Sequence, residues 1–196
     1  MRILLTAYGP FGRIKENITE RVADEIQKNW NRESGELTVL KLPVLWASAE
    51  ALLVQALKES APDLVVSMGH AEGYPAITIE TRYFNIAGGE DNRSETRKGG
   101  VIDHAGEDSY DTNIDAEGLA LYLGENDVAA VLHSGKEGMN YLCNFAGYIV
   151  MRHIRSAGRK KPLFIFLHLP PDVFPFSTLV RGVTEVINFL ALKAQQ

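Results

Sequence analysis

A single cysteine, Cys143, stands at the head of the helical run Tyr141–Ser156, behind a loop that carries Gly135 and Gly138. A thiol at a helix start feels the positive end of the backbone dipole, which favours the thiolate. Unpaired N–H groups of the same turn suit a developing oxyanion. The competing reading is a buried structural cysteine packed as a small hydrophobe. His168 sits at the carboxyl end of the apolar run FIFLHLPP. An imidazole there needs partners, because a buried polar group left unsatisfied costs about 1–3 kcal/mol. Its plainer reading is a satisfied core histidine. Glu80 lies on the inward alternation of ITIETRYF, where a buried carboxylate needs a cation or hydrogen-bond donors. Taken singly, it reads as a solvated edge-strand acid paired with Arg82. Together the three supply a nucleophile, a general base and an acceptor that sets the base's tautomer. Acyl transfer by a thiol needs that set.

Bringing these side chains together falls to the elements that carry them. Apolar, β-rich runs alternate with helical spacing, the order of βαβ units on a mainly parallel sheet. Strands are expected at Ile3–Thr6, Leu37–Leu42, Leu64–Met68, Ala76–Phe84, Val128–His133 and Leu163–Leu169. Helices are expected at Thr19–Asn29, Ala47–Glu59, Ala116–Leu123, Tyr141–Ser156 and Thr178–Lys193. The polar stretch Gly88–Ser109 reads as a long loop, suited to a flap or an oligomer contact. The expected architecture is an open, doubly wound α/β/α sandwich with helices on both faces. Its sites should gather at the carboxyl ends of strands.

Composition narrows the function classes. The 196 residues, 45% hydrophobic and 23% charged, suffice for one domain, 1–196, with a substantial core. A net charge of −5 disfavours a nucleic-acid surface, which needs a basic face. No apolar stretch reaches the roughly 18–20 residues of a membrane-spanning helix. The short apolar run before Gly9-Pro10 reads as a first strand, not a signal peptide. One cysteine forms no intramolecular disulfide and no multi-cysteine zinc site. The expectation is a soluble protein in a reducing cytoplasm.

Several motifs fall away on spacing. AYGPFGRIK is no phosphate loop, because Gly9 and Gly12 are too close for GxxxxGK and no Ser or Thr follows a Lys. His70-Ala71-Glu72 mimics the HxE of zinc deaminases but lacks their PCxxC pair. Asp103, His104 and His133 have no HExxH-type spacing and read as solvated loop or strand-end residues, so neither a metal nor another cofactor is expected. His133-Ser134-Gly135 is not a GxSxG nucleophile elbow.

Six blocks run through nearly the whole chain: LLTAYGPFG (Leu4–Gly12), VVSMGHAEG (Val65–Gly73), ITIETRYFN (Ile77–Asn85), EDN (Glu90–Asn92), YLCN (Tyr141–Asn144) and FLHLPP (Phe166–Pro171). In order and spacing they resemble the pyroglutamyl peptidase type I family of cysteine peptidases. The resemblance implies an α/β sandwich, no metal, and dimers or tetramers. It implies removal of an N-terminal pyroglutamyl residue from small peptides with a blocked N-terminus. It also implies Cys143 as nucleophile, His168 as general base and Glu80 as the third member. Tyr8 and Phe11 would wall the lactam pocket, with His70 at the substrate side. The chain departs from the family's pattern at Ala7 and Tyr8, at His70, at Thr81 before Arg82, and at Gly138-Met139, where Ala-Gly is usual. These departures leave two alternatives open: a related cysteine amidase with altered lactam or N-terminal specificity, and a binding module without turnover.

Overall fold

The computed structural model describes residues 1–135, 140–158 and 162–194. Along them run β1 (Arg2–Tyr8), α1 (Ile18–Lys28), β2 (Glu36–Leu42), α2 (Trp46–Ser60), β3 (Leu64–His70), β4 (Ile77–Glu80), β5 (Arg82–Phe84) and β6 (Ala87–Glu90). There follow β7 (Thr96–Gly100), β8 (Ser109–Asp111), α3 (Ala116–Glu125), β9 (Ala130–His133), α4 (Leu142–Ser156), β10 (Leu163–Leu169) and α5 (Phe176–Ala194). Six strands form one sheet in the order β2-β1-β3-β10-β4-β9. Every neighbouring pair in it is parallel except β10 with β4.

The central strands read as unbroken apolar runs because both faces of the sheet are covered. Alternate residues divide the core. Ile3, Leu5, Val66, Ile165 and Leu167 pack with α1, α3 and α5, whereas Leu4, Val65, Phe164 and Phe166 pack with α2 and α4. The mainly parallel α/β sandwich expected from the sequence is the fold observed. Among the described residues no helix is long and apolar enough to cross a membrane.

Local chemistry sets the helix starts. Asn17 caps α1 by accepting from the Thr19 N–H at 3.0 Å, and Asp115 caps α3 by accepting from the Gly118 N–H at 2.9 Å. The N-cap of α4, Tyr141, makes no side-chain cap. The first N–H groups of α4 are therefore not consumed by one.

Two expectations change. The single strand expected over Ala76–Phe84 breaks at Thr81, whose N–H donates to the His133 carbonyl at 2.8 Å and whose carbonyl accepts from the Thr112 N–H at 2.9 Å. That turn takes β5 out of the large sheet to pair with β8. Nor is Gly88–Ser109 a bare loop, since β6 and β7 form an antiparallel hairpin. The Asp91 carboxylate closes its turn by accepting from the N–H groups of Arg93 at 2.8 Å and Glu95 at 3.0 Å. Periodicity misses these strands because AGGE and TRKGG carry no apolar alternation. The hairpin docks on the chain just ahead of Cys143. There the Gly88 N–H donates to the Asn140 carbonyl at 2.7 Å and the Tyr141 hydroxyl donates to the Glu90 carbonyl at 2.9 Å.

Candidate active site

Antiparallel pairing of β4 with β10 sets Glu80 opposite Phe166 and Thr78 opposite His168. Glu80 and His168 thus share the sheet face under α4, one diagonal step apart and within side-chain reach. His168 Nδ1 lies 2.8 Å from Glu80 Oε1. An ionised carboxylate only accepts, so Nδ1 carries a proton and Nε2 faces the opposite way. Both side chains are buried. The solvated-edge reading of Glu80 is corrected by its setting: β4 has a strand on each side, and Arg82 turns instead to Asp111, with Nε 2.6 Å from Oδ1.

The second oxygen of Glu80 is also taken. His133 stands directly across from Glu80 on β9, with Nδ1 2.8 Å from Oε2. The expectation of a solvated strand-end residue is corrected here too. Glu80, His133 and His168 are not laid out as a metal centre, since both imidazoles turn Nδ1 to the carboxylate. Among the described residues, no group of three or more His, Cys, Asp or Glu side chains is arranged to hold an ion. Below the carboxylate, the Tyr83 hydroxyl donates to the Glu80 carbonyl and accepts from the Phe166 N–H, both at 3.1 Å. It binds β4 to β10 at the site.

The start of α4 brings Cys143 over this pair, its sulfur in hydrogen-bonding reach of the His168 ring. How close they lie is visible at Gly69, the cross-strand neighbour of His168 on β3. A Cβ there would stand 2.9 Å from His168 Cδ2 and 3.1 Å from Cys143 Sγ. A side chain at this position would press the sulfur and the imidazole apart.

The helix start is pinned from two directions. Asn144 Oδ1 accepts from the Phe84 N–H at 2.7 Å, while its Nδ2 donates to the carbonyls of Phe84 and Ile86 at 2.9 Å each. From the other side the Tyr8 hydroxyl donates to the Leu142 carbonyl at 2.9 Å. The Phe145 N–H bonds back to Tyr141 at 3.0 Å, so the N–H groups ahead of it lie in the turn that carries the sulfur. A tetrahedral oxyanion would form there.

Electrostatics favour a protonated His168. Burial by itself pulls the His168 ring toward neutrality. The contacts with the Cys143 sulfur and then with the Glu80 carboxylate outweigh that, and the ring is pushed up to about 10. Burial, followed by the charge at Cys143 and the neighbouring Tyr141, holds the Tyr8 hydroxyl well above the ordinary phenol range. Tyr8 therefore remains a neutral donor to Leu142.

These groups open on a cavity of about 250 Å³ whose wall includes Glu80, Cys143, His168, Tyr8, Phe11 and His70. All six residues singled out in the sequence stand round one space. Phe11 and His70 meet edge to face with ring centres 6.0 Å apart. His70 Nδ1 accepts from the Ile18 N–H at 3.5 Å. Its Nε2 is buried without a hydrogen-bond partner, for the 3.4 Å approach of the Glu72 carboxylate lacks hydrogen-bond direction. Gly138 and Met139 lie outside the described residues.

Sequence reasoning missed four contributors. Gly69 did carry a signal, since a glycine inside an apolar strand marks a close approach. Asn144 follows the cysteine directly, but its hold on Phe84 and Ile86 needs the tertiary fold. His133 and Tyr74, whose ring centre is 5.5 Å from that of His168, show themselves only once the strands are paired.

Comparison with known proteins agrees with this geometry. The model of the pyroglutamyl peptidase family matches residues 1–179. A pyrrolidone-carboxylate peptidase of Saccharolobus islandicus is 34% identical over a 205-residue alignment, covering 97% of this chain and 95% of its own. One from Pyrococcus furiosus is 29% identical over 174 residues, covering 87% of this chain and 81% of its own. A solved mutant pyrrolidone carboxyl peptidase from Pyrococcus furiosus has the same fold, with a TM-score of 0.90 at 23% identity over the whole of both chains. The chain belongs to the pyroglutamyl peptidase family.

Proposed function

We propose that this protein is a cysteine exopeptidase that removes an N-terminal pyroglutamyl residue from small peptides. Cys143 is the nucleophile, His168 the general acid and base, and Glu80 the residue that orients His168. The observation that carries the reading is the contact series from Glu80 Oε1 through His168 to the Cys143 sulfur, at the wall of the cavity.

The sulfur attacks the pyroglutamyl carbonyl, and N–H groups at the start of α4 hold the oxyanion. The carbon–nitrogen bond then breaks as His168 Nε2 gives its proton to the departing amine, leaving a thioester on Cys143. Water attacks that thioester and passes a proton to Nε2. The carbon–sulfur bond breaks, releasing pyroglutamate and restoring the charged pair. Glu80 keeps the proton on Nδ1 throughout, which leaves Nε2 to face the sulfur.

The wall also accounts for a blocked N-terminus. Tyr8 and Phe11 cover the apolar face of the lactam, with His70 beside them on the same wall. A free amino terminus would bring a charge into this largely apolar cavity, at a desolvation cost that the uncharged lactam avoids. Because the chemistry needs a reduced thiol, the proposed compartment is the cytoplasm. The family resemblance adds a homo-oligomer, a dimer or a tetramer.

Turnover of a pyroglutamyl-aminomethylcoumarin tests the reading. Wild-type protein should release the fluorophore, and Cys143→Ala should release none above background. The same fluorophore on N-terminal glutamine with a free amine should be a poor substrate. A wild type without turnover, or a Cys143→Ala variant equal to it, would end the proposal.

A further inference from the structure

An orienting acid needs one oxygen for its histidine, and Glu80 has a second oxygen that is equally well bound. We infer that His133 is a positioning residue of the active site, whose Nδ1–H holds Glu80 Oε2 so that Oε1 is presented to His168 in one orientation. The inference rests on the catalytic reading of Glu80, His168 and Cys143 given above.

Three observations converge on it. The two imidazoles approach opposite oxygens of one carboxylate at the same 2.8 Å, each through Nδ1. The arrangement is written into the sheet: Glu80 faces His133 across the parallel β4–β9 ladder and lies diagonal to His168 across the antiparallel β4–β10 ladder. The end of β9 is itself held, because the His133 carbonyl accepts from the Thr81 N–H at 2.8 Å and from the Thr81 hydroxyl at 3.1 Å.

The physical need is specific. The terminal torsion of a glutamate is broad and two-fold, so one hydrogen bond leaves the carboxylate free to rock. Two charge-assisted bonds, one on each oxygen, remove that freedom and keep both oxygens accepting. His133 reaches the oxygen turned away from His168, so it acts through Glu80 and not on substrate. The orienting carboxylate is thus braced from the edge strand of the sheet.

Steady-state kinetics of His133→Phe, His133→Asn and His133→Leu on the fluorogenic substrate, with thermal unfolding alongside, test this. His133→Phe removes the donor and should lower kcat about 10- to 100-fold, the rate equivalent of one hydrogen bond to a charged group, with KM within about threefold. The side-chain amide nitrogen of His133→Asn occupies the place of the imidazole Nδ1 and should rescue kcat to within about threefold of wild type. His133→Leu matches asparagine in size without a donor or a charge and should stay as slow as His133→Phe. A folded His133→Phe with wild-type kcat overturns the inference, as does His133→Asn no faster than His133→Leu. Should His133→Phe fail to fold, the Asn and Leu pair decides alone. A wild type without turnover would remove the underlying reading first. An active wild type, a dead Cys143→Ala and an unaffected His133→Phe would remove only this inference.

Discussion

Glu80→Gln lowers kcat by about 10³–10⁴-fold while the protein stays folded, because the change alters hydrogen-bond polarity and not shape. Glu80 accepts from two imidazoles, one on each oxygen. A glutamine offers one oxygen and one NH₂ group, so one imidazole must face a donor. If that imidazole is His168, its Nδ1 must give up its proton and Nε2 must carry it, and the ring can no longer take a proton from the sulfur. If it is His133, the bond to His168 survives but loses its charge, and the ring no longer stabilises an imidazolium. Both outcomes depopulate the reactive pair. Steady-state kinetics on the pyroglutamyl substrate, with circular dichroism and a thermal melt to confirm the fold, provide the check. A Glu80→Gln variant within a few-fold of wild-type kcat would contradict the assigned role.

The second large effect falls on stability. Gly147 lies in α4 against the ring of Tyr83, where a Cβ would come within 2.8 Å of Cγ and closer still to Cδ1. Two effects of Gly147→Ala oppose each other. Alanine favours a helix interior by about 1 kcal/mol over glycine, whereas overpacking a filled core costs about 1–3 kcal/mol and occasionally more. The clash wins because the ring has no room to move. Tyr83 is 1% exposed, and its hydroxyl is committed to the Glu80 carbonyl and the Phe166 N–H. A net loss of about 2 kcal/mol corresponds to a Tm lowered by about 4–8 °C for a chain of this size. Activity should fall as well, since α4 can relieve the contact only by lifting off the sheet with Cys143 at its head. A Tm at or above wild type would show that helix propensity dominates.

Much of this is legible in the sequence. The apolar runs around Leu5, Val66 and Ile165 announced buried parallel strands because both sheet faces are covered, and a strand buried on both sides shows no alternation. Cys143 and His168 were legible for the same reason: each is a reactive group where an apolar element ends. The antiparallel insertion of β4 beside β10 was not, because strand direction depends on how the chain crosses, not on composition. That single reversal makes Glu80 and His168 diagonal neighbours, while the break at Thr81 takes Arg82 to Asp111. The hairpin of β6 and β7 escaped because its residues are glycine and charge, and docking on Trp46, Asn140 and Tyr141 holds it in place of apolar patterning. His133 looked like a surface strand end because one strand seen alone does not reveal its neighbour's carboxylate.

The central claim is that Glu80 and the Cys143 sulfur together hold His168 as an imidazolium. The ring's folded value of about 10 stands above the ordinary 6.5, so protonation favours the folded state. The resulting stabilisation is complete below about pH 6.5 and fades as pH rises through about 10. The most direct measurement is an NMR titration of the nitrogen-labelled His168 ring, assigned by comparison with His168→Gln. The account predicts a ring protonated on both nitrogens at neutral pH that loses its proton only near pH 10. A ring that deprotonates near pH 6.5, as a free imidazole does, would contradict it.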